Sequence, residues 1–244
     1  MANRSCLCHS FEFPVRMAFQ PIVDVLKKEV VSYEALVRGS NGESAFEVFK
    51  NVNEKNKYSF DQSCRVTAIK TFSELNSDKC ININFMPQAI YEPEACLAMT
   101  LKMAKKCSLP TSKIIFEVTE QERVVDKLFL INIFNVYKEY GFQTAIDDFG
   151  EGFAGLSLLS GFQPSCIKLS IELVRDIDKH PAKQAIFEGI QLMCHKLNIR
   201  ILAEGVETAQ EYSYLKNHNV SLMQGYFFAK PELELLPEVT WPST

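Results

Sequence analysis

The chain has 244 residues, of which 47% are hydrophobic, 11% aromatic and 23% charged; these proportions exclude a disordered or low-complexity polymer and leave room for a large core. Its 26 basic and 30 acidic side chains give a formal net charge of −4, which excludes nucleic-acid binding by bulk electrostatics, so no direct nucleic-acid binding is expected. No apolar run approaches the roughly 18 residues of a membrane span, and residues 1–10 lack the apolar core of a signal peptide, so a cytoplasmic protein without a membrane span is expected.

Short β-rich runs alternate with longer amphipathic stretches. Strands are predicted over 17–23 and 30–37, separated only by Asp24 to Glu29. A parallel crossover needs about a dozen residues or more, so this first pair is predicted to be an antiparallel hairpin. A helix over 61–75 leads to a strand at 80–85, a helix over 93–107 to a strand at 113–118, and a helix over 126–140 to a strand at 143–149. A strand at 166–170 follows, then a helix over 182–197, a strand at 200–204, a helix over 209–217 and a strand at 222–228. Most of the strand runs are nearly continuous in apolar residues, as strands covered on both faces are. Alternation of this kind within roughly 250 residues predicts an α/β protein, a TIM-like (β/α)8 barrel that is irregular and antiparallel at its first strand. With no Pro/Gly/Ser-rich linker, residues 16–244 read as one barrel domain behind an N-terminal extension over 1–15. Cys64, Cys80, Cys96, Cys107, Cys166 and Cys194 sit among apolar residues and are expected to be reduced core thiols. Cys6 and Cys8 beside His9 lack the paired spacing of a zinc site.

Polar residues interrupt the apolar strands near their ends. They are Glu34, Asn84, Glu117 with Glu120, Asp147-Asp148, Lys168, Glu204 with Glu207, and Gln224. In a β/α barrel these ends converge on one mouth. Carboxylates gathered there repel one another unless cations compensate them, and oxygen donors without His or Cys select Mg²⁺, Mn²⁺ or Ca²⁺. Successive strand side chains point to opposite faces, so Asp147 and Asp148 both reach the mouth only if the strand ends there. Two ions roughly 3.5–4 Å apart would serve in-line displacement at phosphorus, and phosphate-ester hydrolysis is the predicted chemistry.

Seven segments in order carry a family resemblance. They are Tyr33-Glu34-Ala35-Leu36-Val37-Arg38, Asn84-Phe85-Met86-Pro87, Glu117-Val118-Thr119-Glu120, Asp147-Asp148-Phe149-Gly150-Glu151-Gly152, Ile167-Lys168-Leu169, Ala203-Glu204-Gly205-Val206-Glu207-Thr208, and Gln224-Gly225-Tyr226-Phe227-Phe228-Ala229-Lys230-Pro231. Together they resemble the EAL domain, the cyclic di-GMP phosphodiesterase, over roughly residues 19–231. The resemblance implies hydrolysis of cyclic di-GMP to linear pGpG with two Mg²⁺ or Mn²⁺ ions per site, Ca²⁺ being inhibitory. It implies that Glu34, Asn84, Glu117 and Asp147 bind the first metal, with Asp147 bridging to a second that Asp148 also holds. Lys168 would hold or help activate the attacking water, Glu204 would bind a water of the metal site, and Gln224 would assist nearby. Glu120 would anchor the loop after Asp148. Gln20, Arg38, Glu207 and Pro231 fall where the family contacts the dinucleotide, and a guanidinium such as that of Arg38 suits a phosphate. A homodimer is also implied, through the loop after Asp148 and the following helix with Phe153, Leu156, Leu158, Leu159 and Phe162.

Three positions depart from the family's pattern. Glu151 and Phe153 stand where a small residue or Thr and then Tyr are usual, and Ser170 stands where an Asp usually follows the lysine. Modulation of activity rather than its loss is expected from them. A Schiff-base role for Lys168 is disfavoured, because surrounding carboxylates raise a lysine's pKa. The alternative function is a catalytically weak or silent cyclic di-GMP-binding module that acts through a regulatory protein partner.

Overall fold

The structure, a computed structural model, describes residues 14–119, 127–152 and 155–242. Strands β1 (Val15–Asp24) and β2 (Glu29–Gly39) form the antiparallel hairpin that their short connection dictates. Asp24 closes the turn: its Oδ1 accepts the N–H groups of Leu26 and Lys27 at 3.0 Å each, and Lys28 takes a left-handed φ of 55°. The chain continues through α1 (Ala45–Phe49), α2 (Lys57–Glu74), β3 (Cys80–Asn84), α3 (Pro93–Lys106), β4 (Ile114–Thr119) and α4 (Lys127–Glu139). It then forms β5 (Gln143–Phe149), α5 (Gly155–Leu159), β6 (Cys166–Leu169), α6 (Ile171–Val174), α7 (Pro181–Leu197), β7 (Arg200–Ala203), α8 (Ala209–Asn217), β8 (Leu222–Met223) and β9 (Glu232–Leu233). The sheet runs in order from β2 to β8 with parallel neighbours. Strand β1 lies between β8 and β2, antiparallel to both, which closes an eight-stranded barrel; β9 adds antiparallel to the other half of β1. This is the TIM-like barrel with an antiparallel first strand.

Alternation along each strand divides the core into two shells. Outward residues such as Ile81, Ile83, Phe116, Ile146, Ile167 and Leu169 pack under the helices in one large cluster. Inward residues Ile22, Ile115, Ala145, Cys166, Leu202 and Leu222 form a small separate cluster that plugs the barrel axis. Two positions further toward the mouth on those same strands stand Gln20, Glu117, Asp147, Lys168, Glu204 and Gln224, all buried. The apolar plug is therefore the floor on which the polar layer rests.

Several short elements went unpredicted, because α1, α5, α6 and β9 span five residues or fewer and give no readable periodicity. The strand predicted over 222–228 stops at Met223. Gly225 packs flat on the backbone of Val206, where a Cβ would come within 2.0 Å of the carbonyl oxygen, and Phe227 N–H donates to that same carbonyl. The chain turns there instead of extending. On the expected dimer face, Leu158, Leu159 and Phe162 are buried, Phe162 stacking on Phe134 with ring centroids 4.7 Å apart, while Leu156 is 69% exposed. These three residues are internal packing rather than surface; Phe153 lies outside the described residues. The six cysteines predicted in elements are free thiols, whereas Cys6, Cys8 and His9 lie outside the described residues. Among the described residues no helix is long and apolar enough to cross a membrane.

Candidate active site

Lys168 stands at the centre of the mouth. Its side chain is 1% exposed, and its Nζ lies 2.8 Å from Glu204, 2.9 Å from Glu117, 3.1 Å from Asp147 and 3.4 Å from Glu34. Each partner comes from a different strand, Glu34 from the middle of β2 and the others from at or near the ends of β4, β5 and β7, which is why residues up to 170 positions apart in sequence meet. Glu34 is held from two further sides: Asn84 Nδ2 donates to its Oε1 at 3.0 Å and Gln224 Nε2 to its Oε2 at 2.8 Å. Gln224 also donates to Gln20 Oε1 at 3.2 Å, and Gln20 Nε2 donates to the Ala229 carbonyl at 3.1 Å.

The paired aspartates share the mouth by a different device from the predicted one. Strand β5 does not end at Asp147 but continues to Phe149, with its register against β6 broken between Ile146 and Phe149. Asp148 takes a left-handed φ of 51° within that bulge, and its N–H donates to Asp147 Oδ1 at 2.9 Å. The irregularity turns both carboxylates toward one side.

Burial dominates the electrostatics. It pushes the Glu117 carboxyl up to about 8, Lys168 opposing and the charges of Glu34 and Asp147 adding to the rise. Burial and then the Asp147 charge hold Glu204 well above the usual carboxylate range. For Asp147 burial is outweighed by Lys168 and the hydrogen bond to Glu204, and its pKa falls. Lys168 is itself held well above the usual lysine value, because Asp147, Glu117, Glu204 and Glu34 together outweigh its burial. It is a permanent cation, unsuited to Schiff-base chemistry at neutral pH. Asp148 is raised to about 6 by burial and the charges of Asp147 and Glu151, so the unusual Glu151 adds negative potential beside it.

Glu117 ties these shifts to stability. A proton held more tightly by the folded state stabilises fully below the unfolded value of about 4.5, and that contribution is lost as pH rises through about 8. The melting temperature of the metal-free protein is therefore expected to fall between about pH 5 and pH 8. Excess Mn²⁺ should remove the trend. Calorimetric scans in chelator across this window test it, and a melting temperature that climbs with pH would contradict it.

The donor set fits divalent cations. Oxygens of Glu34, Glu117 and Asp147 lie within 4.8 Å of one another, as do those of Asp147, Asp148 and Glu204. All are hard donors, and Asp147 belongs to both groups. These five carboxylates and Lys168 would leave four negative charges if all were ionised, which two divalent ions balance.

Other predicted residues sit at or beyond the rim. Arg38 is half-buried, its guanidinium donating to the Val37 carbonyl at 2.8 Å, and does not join the carboxylate cluster. Glu207 is exposed and pairs with Arg175 at 3.0 Å. Pro231 is half-buried next to β9. Glu120 lies outside the described residues. Ser170 caps α6 by accepting the Leu173 N–H, a function that Asp performs equally well, so the departure preserves the local backbone. Sequence reasoning missed Asn82, whose Nδ2 donates to Glu117 Oε1 at 2.6 Å. Its signal was the alternation Ile81-Asn82-Ile83-Asn84, which sets Asn82 on the same face as Asn84.

The family model for the EAL domain matches residues 12–231. A crystal structure of a standalone versatile EAL protein from Vibrio cholerae O395, in a c-di-GMP bound form, is 49% identical with a TM-score of 0.92, over 95% of this chain and 98% of that one. A Klebsiella pneumoniae BlrP1 manganese/cy-diGMP complex is 34% identical with a TM-score of 0.89, over 96% of this chain and 60% of that one. Among curated relatives from Escherichia coli K12, the blue light- and temperature-regulated antirepressor BluF is 33% identical over 226 residues, 92% of this chain. The cyclic di-GMP phosphodiesterase PdeR is 36% identical over 115 residues, 47% of this chain. The chain spans 56% of the length of BluF and 17% of that of PdeR.

Proposed function

The chain belongs to the EAL domain family, and from that premise we propose that it is a cyclic di-GMP phosphodiesterase, hydrolysing the cyclic dinucleotide to linear pGpG with two Mg²⁺ or Mn²⁺ ions. The observation that carries this reading is the undiminished oxygen-donor set of Glu34, Asn84, Glu117, Asp147, Asp148 and Glu204 around one charged lysine. Glu34, Asn84, Glu117 and Asp147 would hold one ion, and Asp147 with Asp148 the other. When bound, the ions supply Lewis acidity and a water that ionises near neutral pH.

The chain's own groups do the rest. Lys168 keeps its proton and orients by donation, holding the attacking water beside the phosphorus. Glu204, within 2.8 Å of Lys168 Nζ, accepts from that water on its other side. As the new P–O bond forms, the bond to the ribose O3′ breaks; the proton lost by the water goes to the departing O3′, which leaves as a hydroxyl, and the linear product keeps a 5′-phosphate. Arg38, on the rim, would contact the second phosphate, and Gln20, Glu207, Gln224 and Pro231 would lie along the dinucleotide. A largely apolar cavity of about 230 Å³ is lined by Asn84, Met17, Leu36, Val37, Phe60 and Phe85; it would have room for one planar base. Residues 16–244 acting as one unit, a cytoplasmic location and a homodimer through the face that bears Leu156 belong to the same proposal.

Purified protein with Mn²⁺ or Mg²⁺ is expected to convert cyclic di-GMP to pGpG, and Ca²⁺ to suppress this. Ca²⁺ takes more ligands at longer distances and would misplace the attacking water. A second reading, a binding module acting through a regulatory partner, is favoured by the similarity to the antirepressor BluF. Tight nucleotide binding with no pGpG released in saturating Mn²⁺ would establish that reading instead.

A further inference from the structure

Directly below each mouth residue of β4 to β8 and of β1 the barrel interior is apolar, but β2, with buried Ser32 below Glu34, and β3 break the rule. Two positions below Asn84 stands Asn82, 5% exposed in a layer otherwise built largely from the apolar plug. Its Nδ2 donates to Glu117 Oε1 at 2.6 Å, while Lys168 Nζ donates to Oε2 of the same carboxylate at 2.9 Å. With Glu117 ionised, as a metal ligand must be, only the amide nitrogen can face it: turned over, the amide oxygen would meet a carboxylate oxygen with no proton between them. Asn82 Oδ1 has no protein partner among the described residues. Asn82 also lines a cavity of about 120 Å³ with Ser32, Gln143 and Cys166, which has room and polar groups for water.

We propose that Asn82 is a positioning residue that fixes Glu117 for a divalent ion from beneath; the inference rests on the metal-dependent reading above. Three physical points support it. Glu117 is fully buried, and if Asn82 were apolar its Oε1 would lose its protein donor, with only a water in the cavity below to replace it. An incoming dication repels the Lys168 ammonium but not a neutral amide, so the Asn82 contact persists as the site loads. A carboxylate already locked by packing and a hydrogen bond loses less side-chain freedom on taking a ligand.

The test is calorimetric titration of Mn²⁺ into the metal-stripped full chain without nucleotide. Asn82→Leu, which keeps the branched heavy-atom skeleton and removes the donor, should weaken Mn²⁺ binding by about 10- to 100-fold. Asn82→Ala should do the same should the leucine variant fail to fold. Ser32→Ala, a truncation in the same cavity wall, should stay within about twofold of the parent. In turnover, the Asn82 variants should need more Mn²⁺ yet recover at saturation, with the KM for nucleotide unchanged. Parent-like Mn²⁺ affinity in both Asn82 variants overturns this inference alone. A parent that takes up no Mn²⁺ overturns the metal-dependent reading and this inference with it.

Discussion

Replacing Glu34 with Ala is expected to reduce hydrolysis of cyclic di-GMP by about 10³-fold or more while leaving the fold in place. A lost ligand removes several kcal/mol of transition-state charge stabilisation, and about 4 kcal/mol corresponds to three decades of rate. The metal-free protein should melt within a few degrees of the parent. Glu34 Oε1 and Oε2 accept from Asn84 and Gln224, and those bonds are lost. Their loss is offset by relief of the repulsion among four carboxylates sharing one ammonium. Paired measurements of pGpG formation in saturating Mn²⁺ and of melting in chelator check both halves. Parent-like turnover would remove Glu34 from the metal site, and a collapse of metal-free stability would make it a structural group.

Lys168→Met should have the opposite balance, with stability lost as well as turnover. The methionine fills a similar volume but leaves Glu34, Glu117, Asp147 and Glu204 without their common cation. Removing one partner of a buried ion pair costs about 3–5 kcal/mol, which in a chain of this size lowers the melting temperature by roughly 10 °C. The deficit should shrink on acidification, since Glu117 and Glu204 already hold their protons well above the usual carboxylate range. It should also shrink on adding Mn²⁺, which would replace the missing positive charge. A variant that melts like the parent in chelator at pH 7.5 would show that the four carboxylates do not depend on Lys168, against the distances.

Much of this site was legible in the sequence because a barrel strand has a strict alternation. Glu117 after Phe116, Lys168 after Ile167 and Glu204 after Ala203 are polar residues at the ends of apolar runs, and strand ends in such a barrel share one mouth. Their meeting around a lysine follows from closure of the sheet. The alternation also carried the signal of Asn82, two residues before Asn84 on the same face, but a single Asn in a strand has many uses. Its partner Glu117 is 35 positions away, and only packing chooses between them. Leu158, Leu159 and Phe162 illustrate the same limit in the other direction. As a string they read as an apolar surface, yet Leu158 and Leu159 are buried at the end of a five-residue helix and Phe162 beyond it stacks on Phe134 of α4.

The sequence by itself determined the order of strands and helices, the antiparallel hairpin and the chemical character of the mouth, because these depend on local periodicity and on the length of one connection. Tertiary structure decided how charge is shared. It set which carboxylates Lys168 contacts, how a bulge at Asp148 turns two neighbouring aspartates to one side, why Glu207 meets Arg175 on the rim, and that Glu117 is buried deeply enough to hold its proton up to about 8. Those are consequences of distance and desolvation, quantities that exist only once the barrel has closed.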